Sequence, residues 1–231
     1  LGLNLSNDAT VTIADGFNAS SGIIVSGSGY SGGVINDASF NTSGTAVTVD
    51  SLGLSFENVG TIAATPDGWS SYAVNVESAI NSGTITGSYG GGLISKALNN
   101  SGTIRADNVG ANVRGKLTNS GSIISNSTTG LRLSPVYSIE STNSGTIQGA
   151  DVGLYLSDGT LTNSGTIVGG NTGVQLWGTL INAPSGTVTG GTFAIKSMAG
   201  GTRIANAGTI NGTVDLTPDT TYDFSADIFF D

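Results

Sequence analysis

The chain has 231 residues, of which 37 are glycine and only 10% are charged, and its net charge is −9 at pH 7. It contains no cysteine and no histidine, which excludes disulfide bonds, thiolate metal sites and the commonest general base. The acidic balance argues against nucleic-acid binding, which requires a basic surface. No apolar run of about 18 residues predicts a membrane-spanning helix, so we expect no direct membrane insertion.

The first predicted elements are short β-strands with irregular spacing, in residues 1–57. Gly22–Val25 and Ala46–Val49 each read Gly or Ala, apolar, any residue, apolar. This alternation with period 2 is typical of a half-buried strand. We therefore predict irregular N-terminal coils over this part of the chain.

From residue 58 to residue 210 a block reading Asn-x-Gly-Thr-Ile recurs. Its copies are Asn58–Ile62, Asn81–Ile85, Asn100–Ile104, Asn119–Ile123, Asn143–Ile147, Asn163–Ile167, the longer Asn182–Val188 and Asn206–Ile210. The block glycines run from Gly60 to Gly208, so seven steps cover 148 residues, or about 21 residues per step. A fixed period of this size predicts a repeat architecture. The last residue of each block, from Ile62 to Ile210, is predicted to point inward and to stack in one buried isoleucine column, in which Val188 replaces one isoleucine.

Two further strand-like elements keep the same period. The Gly-apolar-x-apolar motif recurs at Ala73–Val76, Gly110–Val113, Gly130–Leu133, Gly153–Leu156 and Gly173–Leu176. An aliphatic residue lies two positions before the block asparagine at Leu98, Leu117, Leu161, Leu180 and Ile204. Each repeat therefore carries three short strands, and no apolar period of 3.6 residues indicates a helix.

Three short strands cannot enclose a core alone, but stacked repeats can, because each coil covers the apolar residues of the next. The sequence thus predicts an all-β fold, a right-handed parallel β-helix of about ten coils. We expect one domain over residues 1–231, with regular repeats at 58–210 and a C-terminal coil or cap at 211–231. A leucine-rich repeat would place Asn three residues after its Leu-x-Leu strand, whereas Gly159 follows Leu156 at that distance.

The block asparagine is predicted to point inward, because it lies two residues after an inward apolar residue. A buried amide is costly unless it is paired. We therefore predict a ladder of amides that joins consecutive coils through Asn81, Asn100, Asn119, Asn143 and Asn163. The alternative is that asparagine is used only because it tolerates turn conformations.

Repeats such as Leu161–Gly169 followed by Gly173–Leu176 resemble the passenger domains of Gram-negative autotransporters. The resemblance covers residues 9–216 and is strongest between 81 and 210. It implies export through an outer-membrane barrel, which we expect elsewhere in a longer chain, and an extracellular location, anchored at the bacterial surface or released. It also implies an adhesin, an aggregation factor or, less often, the carrier of an enzyme domain, with a surface glycan, a host surface or a second copy as partner.

Alternation also predicts which side chains of the Gly-apolar-x-apolar strands point outward. The first outward column is predicted to contain Thr48, Asn75, Ile94, Asn112, Arg132, Tyr155, Gln175 and Ala194. The second is predicted to contain Asp50, Glu77, Lys96, Arg114, Ser134, Ser157, Trp177 and Lys196.

Five of the seven basic residues fall in one short stretch, at Lys96, Arg105, Arg114, Lys116 and Arg132. Aromatic residues follow on the same predicted face. Cations followed by rings suit an anionic glycan, so the candidate binding residues are Lys96, Arg114, Arg132, Tyr155 and Trp177. The alternative is a solvated face with weak ion pairs between coils, such as Glu77–Lys96.

An enzyme remains as the alternative function, because parallel β-helices also host polysaccharide lyases and hydrolases. Asp50 and Glu77 are predicted neighbours in one column, and two close carboxyl groups can divide acid and base roles. No third acid joins them at a recognisable spacing, and no metal-binding or cofactor-binding motif is present. We therefore expect no catalytic residues, no metal and no cofactor.

Overall fold

Consecutive coils of the chain pair as parallel β-strands in this computed structural model, which describes residues 2–5, 10–14, 22–27, 32–50, 53–66, 71–135, 139–198, 202–217 and 228–230. The fold is a right-handed parallel β-helix of about nine turns with about 21 residues per turn, which confirms the predicted fold class. All elements within these ranges are strands, and none of them is a helix that could cross a membrane.

One sheet of 11 strands forms what we call the ladder face, because most of its strands end at the block asparagine. Its strands are Thr10–Ile13, Gly33–Asn36, Ser55–Asn58, Ser78–Asn81, Ala97–Asn100, Leu117–Asn119, Glu140–Asn143, Thr160–Asn163, Thr179–Asn182, Arg203–Asn206 and Ile228–Phe230.

A second sheet of 18 strands bends to form the other two faces. The threonine face consists of Ser39–Ser43, Thr61–Thr65, Thr84–Gly87, Thr103–Ala106, Ser122–Ser125, Thr146–Gly149 and Thr166–Gly169. The groove face consists of Gly2–Leu5, Ile23–Gly27, Val47–Asp50, Tyr72–Val76, Gly91–Ser95, Ala111–Val113, Thr129–Leu133, Val152–Leu156 and Thr172–Leu176. The longer strands Thr187–Ser197 and Thr209–Asp215 continue through the corner and contribute to both faces.

The core is a set of stacked aliphatic columns between the faces. The predicted isoleucine column of the threonine face is confirmed, since its side chains from Ile62 to Val188 are 0% exposed. Ile210 was expected to be buried as well, but it is only half-buried against the core, because it lies in the last coil of this column. Strands that are covered on one side by such columns gain most of their stability from stacking rather than from local propensity.

The block glycines pack where the chain turns from the ladder face to the threonine face. A Cβ atom on Gly121 would overlap the carbonyl oxygen of Gly102 one coil earlier, and Gly145 stands in the same relation to Gly121. The glycine of the motif is therefore required by the close approach of consecutive backbones at this corner.

The strand Thr187–Ser197 corrects one part of the predicted register. Gln175 pairs with Lys196, so Lys196 belongs to the first outward column, and Ala194 is buried instead of pointing outward. The inward position after Lys196 is occupied by Ser197, whose hydroxyl donates to Thr202 Oγ1 at 2.9 Å. Because Ser197 is polar, the apolar pattern did not mark its position as inward, and the predicted strand was shifted by two residues.

Candidate functional site

The ladder predicted from the block asparagines is present and is longer than the repeats indicated. In each step Nδ2 of one asparagine donates to Oδ1 of the asparagine one coil later, at 2.7–2.9 Å. Its members are Asn36, Asn58, Asn81, Asn100, Asn119, Asn143, Asn163, Asn182 and Asn206. Nδ2 of each also donates to a carbonyl oxygen of its own coil, as Asn119 does to Gly121 at 3.3 Å. The ladder therefore holds the corner together and is buried away from ligands from Asn36 to Asn182.

The candidate binding residues lie on the groove face, in two outward columns. Strand pairing places the first groove column at Thr48, Asn75, Ile94, Asn112, Arg132, Tyr155, Gln175 and Lys196. The second groove column lies two residues further along each coil and contains Glu77, Lys96, Arg114, Ser134, Ser157, Trp177 and Met198.

Lys96 is engaged by an acid of the neighbouring coil. Its Nζ lies 2.6 Å from Oε2 of Glu77, which confirms the ion pair predicted between these two coils. The lysine side chain is 59% exposed, so the pair contributes little to stability. Lys96 therefore attracts an anionic ligand less strongly than its position in the basic run suggested.

Arg114 and Arg132 lie together in a groove on this face. The groove has a volume of about 630 Å³, and both arginines line it together with Tyr72, Asn75 and Asn112. A second depression of about 550 Å³ adjoins it and is lined by the same two arginines, Asn112, Ser134 and Tyr155. The two depressions together form what we call the groove. Among the described residues, neither guanidinium has an ion-pair or hydrogen-bond partner. This part of the groove therefore presents two cations that no described acid neutralises.

The wall of the groove contains a contact that links coils two apart. Asn112 Nδ2 donates to the hydroxyl oxygen of Tyr72 at 3.1 Å, although 40 residues separate them. The Tyr72 ring can reach so far because it lies against Gly91, where a Cβ atom would overlap the ring. Tyr72 was not among the predicted binding residues. The signal for it was Gly91, which leaves room for a large side chain from the preceding coil.

Two aromatic rings close the far end of this surface. The ring centroids of Tyr155 and Trp177 are 4.7 Å apart and their planes are inclined by 51°. The structure thus brings together the two aromatic residues that the sequence predicted on this face. One coil beyond Gln175, the ammonium of Lys196 lies 5.2 Å from the ring centroid of Phe193.

The two other cations of the basic run point away from the groove. Arg105 pairs with Ile124 on the threonine face and donates to Oδ1 of Asn126 at 2.8 Å. Lys116 immediately precedes the strand Leu117–Asn119 of the ladder face. The described residues therefore place exposed cations on all three faces, and on the groove face these cations lie beside a concavity and aromatic rings.

A polar cluster occupies the corner beside the groove face. The pKa of Asp107 is lowered from its ordinary value of 3.8, mainly because the side chain of Asn126 donates to Oδ1 at 3.0 Å. The backbone N–H of Tyr89 adds a second bond to Oδ2 at 2.9 Å, and nearby Arg105 lowers the pKa further. Tyr89 adopts a φ of 69°, in the left-handed region that side chains other than glycine rarely occupy. The carboxylate thus holds a strained turn in place.

The acid pair predicted for an enzyme is only partly described. Strand pairing runs to Val49 and Val76, one residue before Asp50 and Glu77, which is consistent with their being neighbours. The side chain of Asp50 lies outside the described residues, as do residues 67–69 of the loop between the two acids. Glu77 is bound by Lys96. Among the described residues, no three acids come close enough to hold a metal ion.

Comparison with family models, with curated proteins and with solved structures gives no match for this chain.

Proposed function

We propose that the chain is a rod of the autotransporter-passenger type, displayed on or released from a bacterial surface, that acts by contact along its length. The observation that carries the proposal is the outward column of the threonine face. Eight consecutive coils present a hydroxyl there in register, at Thr61, Thr84, Thr103, Ser122, Thr146, Thr166, Thr187 and Thr209. A stiff array of equally spaced hydroxyl groups suits many weak contacts, which become strong only when they form together.

The autotransporter assignment rests on the repeat itself. The features that support it are the recurring sequences of the type Leu161–Gly169 followed by Gly173–Leu176, and the β-helical coil of about 21 residues that they form. Partners compatible with such a rod are a second copy, a host surface or an anionic glycan.

Function as a polysaccharide lyase or hydrolase is the alternative. It needs two carboxyl groups that exchange protons with the substrate. Glu77 is engaged in an ion pair with Lys96 of the next coil, so its carboxylate is occupied by a neighbour, and this favours the contact function over the enzyme.

The test compares the free chain with the same chain coupled at high density to beads. We expect beads to aggregate or to adhere to glycan-coated surfaces, while the free chain binds weakly, because only the beads engage many contacts at once. Sedimentation of the free chain over a concentration series measures self-association directly. Beads that neither aggregate nor adhere, combined with release of reducing ends or unsaturated sugars from polysaccharide, would show that the enzyme alternative is correct.

A further inference from the structure

Arg114 and Arg132 form a pair of cations that no acid within the described part of this acidic chain neutralises. We infer that the groove on the groove face binds an acidic saccharide, with the carboxylate or sulfate of one sugar held between these two guanidinium groups. The inference rests on the proposed function, because it names the partner and the site of a rod that acts by contact.

The placement of the two arginines is unfavourable unless an anion joins them. Arg132 pairs with Asn112, two residues before Arg114, so the two cations lie diagonally across one coil step and line the same groove. Between Ile94 and Trp177, the described positions of both groove columns contain no acidic residue. Two cations that line the same groove repel each other. An arrangement that costs stability in this way is typical of a functional site.

The chemistry of arginine selects the kind of anion. Its planar guanidinium donates two parallel hydrogen bonds to a carboxylate or a sulfate, which a lysine ammonium does not do. Arg114 and Arg132 are both exposed, so an anion in the groove reaches them without displacing an internal partner.

The remaining walls of the groove suit the hydroxyl groups of a sugar. The Tyr72 hydroxyl and the Asn112 amide hold each other in place, and Asn75 and Ser134 add further neutral donors and acceptors. Such groups, held in position, bind hydroxyl groups without the cost of ordering a flexible side chain. The wall therefore recognises a polyhydroxylated ligand better than a simple inorganic anion.

Tyr155 supplies the apolar surface that the C–H face of a sugar ring requires. It lines the groove next to Arg132, to which it is joined by strand pairing, and it is supported from the other side by Trp177. An aromatic face beside charged and polar groups is the usual composition of a small ligand site. A nucleic acid is less suitable, because the net charge of −9 repels a long, densely charged polymer.

Titration calorimetry of the purified chain with two defined probes tests the inference. One probe is an oligogalacturonate, which carries carboxylates, and the other is a heparin oligosaccharide, which carries sulfates. We expect binding to at least one of them at low ionic strength and weaker binding as salt is added. The two probes distinguish which acidic group the groove prefers, and a neutral cello-oligosaccharide should bind more weakly than the preferred probe.

Matched variants distinguish binding in the groove from a general effect of net charge on affinity. Arg114→Gln and Arg132→Gln should each weaken binding by about tenfold or more, because each removes charge-assisted hydrogen bonds. Arg105→Gln and Lys116→Gln make the same change in net charge on other faces, and they should alter the affinity by less than about twofold if distant exposed charges are screened. Tyr155→Leu should weaken binding of the acidic probe and of the neutral sugar alike.

Three results would overturn the inference: binding of neither acidic probe, equal losses in the groove and control variants, or equally tight binding of single-stranded DNA. Each result is separable from failure of the proposed function. Beads that carry the Arg114→Gln, Arg132→Gln double variant and still aggregate or adhere would retain the rod function without this site. Acidic-sugar binding by the free chain, with beads that neither aggregate nor adhere, would support the groove and contradict the rod.

Discussion

Asn119 illustrates how a single polar residue can be essential to an apolar core. It is 1% exposed, accepts from Asn100 and donates to Asn143, both at 2.7 Å. An unpaired amide in this position would be expensive, but each ladder member is paired with an amide of a neighbouring coil. Pairing between coils thus converts a costly burial into a constraint on register.

Replacement of Asn119 by alanine should lower the free energy of unfolding by about 2–5 kcal/mol. The change leaves Nδ2 of Asn100 and Oδ1 of Asn143 without ladder partners, and each buried group left unsatisfied costs about 1–3 kcal/mol. Denaturant titration followed by circular dichroism measures the loss. Asn99→Ala is the matched control, because Asn99 points outward from the neighbouring strand and should cost less than about 0.5 kcal/mol. Equal losses in the two variants would show that the ladder contributes nothing of its own.

The Asp107 cluster predicts a dependence on pH at the same scale. The pKa of Asp107 is lowered in the folded chain, so its stabilising effect is present above the unfolded pKa and is lost as the pH falls through the folded pKa. The carboxyl carbon resonance of Asp107, followed by NMR, should therefore titrate with a midpoint below 3.8.

Asn126→Ala should raise that midpoint towards the ordinary value, because the hydrogen bond from Asn126 is the largest cause of the shift. Asn171→Ala removes an exposed amide from a corner two coils farther along and should leave the midpoint unchanged. A midpoint that does not move in Asn126→Ala would contradict the assigned cause.

At the scale of the elements, the corner glycines determine how closely the coils approach. Gly121 lies between Asn119, at the end of the ladder face, and Ser122, at the start of the threonine face. Its Cα hydrogen points at the backbone of Gly102, where no heavier group fits. The repeat of Asn-x-Gly is therefore a packing requirement of two neighbouring coils.

Gly121→Ala should destabilise the fold by about 1–3 kcal/mol or more, because the added methyl group must push two backbones apart. The shift should also lengthen the hydrogen bond from Ser122 N–H to Gly102 O, which is 2.9 Å in the intact corner. Hydrogen exchange at Ser122 measures that local loss. The adjacent Ser120→Ala is the control, since this exposed hydroxyl makes only a long bond of 3.5 Å to Asn100 O. Unchanged exchange at Ser122 would show that the corner tolerates a side chain.

The same elements show what sequence reasoning can recover. Because inward residues must stack, the period and the alternation predicted the β-helix, its isoleucine column and the inward asparagines. Alternation with period 2 is blind to a shift of two residues, and this is why the column position of Lys196 was wrong. Alternation also does not indicate how far a side chain extends along the axis of the β-helix, so the contact of Tyr72 with Asn112 was missed. It did place Arg114, Arg132, Tyr155 and Trp177 on the correct face.

At the scale of the whole molecule, the faces differ in what they present. About nine turns at about 4.8 Å each make a rod on the order of 40 Å long. The threonine face repeats one hydroxyl column, while the groove face changes along its length from the Glu77–Lys96 ion pair to the arginine groove and then to aromatic rings. The uniform threonine face suits association with a partner that can shift along the rod by whole coils. The varied groove face suits recognition of a ligand at one position.

The asparagine ladder also affects how a β-helix of this kind can gain or lose coils. Every amide–amide hydrogen bond of the ladder runs in the same direction, from one coil to the coil that follows it. A coil gained or lost as a unit brings or removes one donor and one acceptor together, so all the amides on either side remain paired. The reach of the rod can therefore be altered by duplication or deletion of whole coils, in increments of about 4.8 Å, with no new interaction needed at the junction.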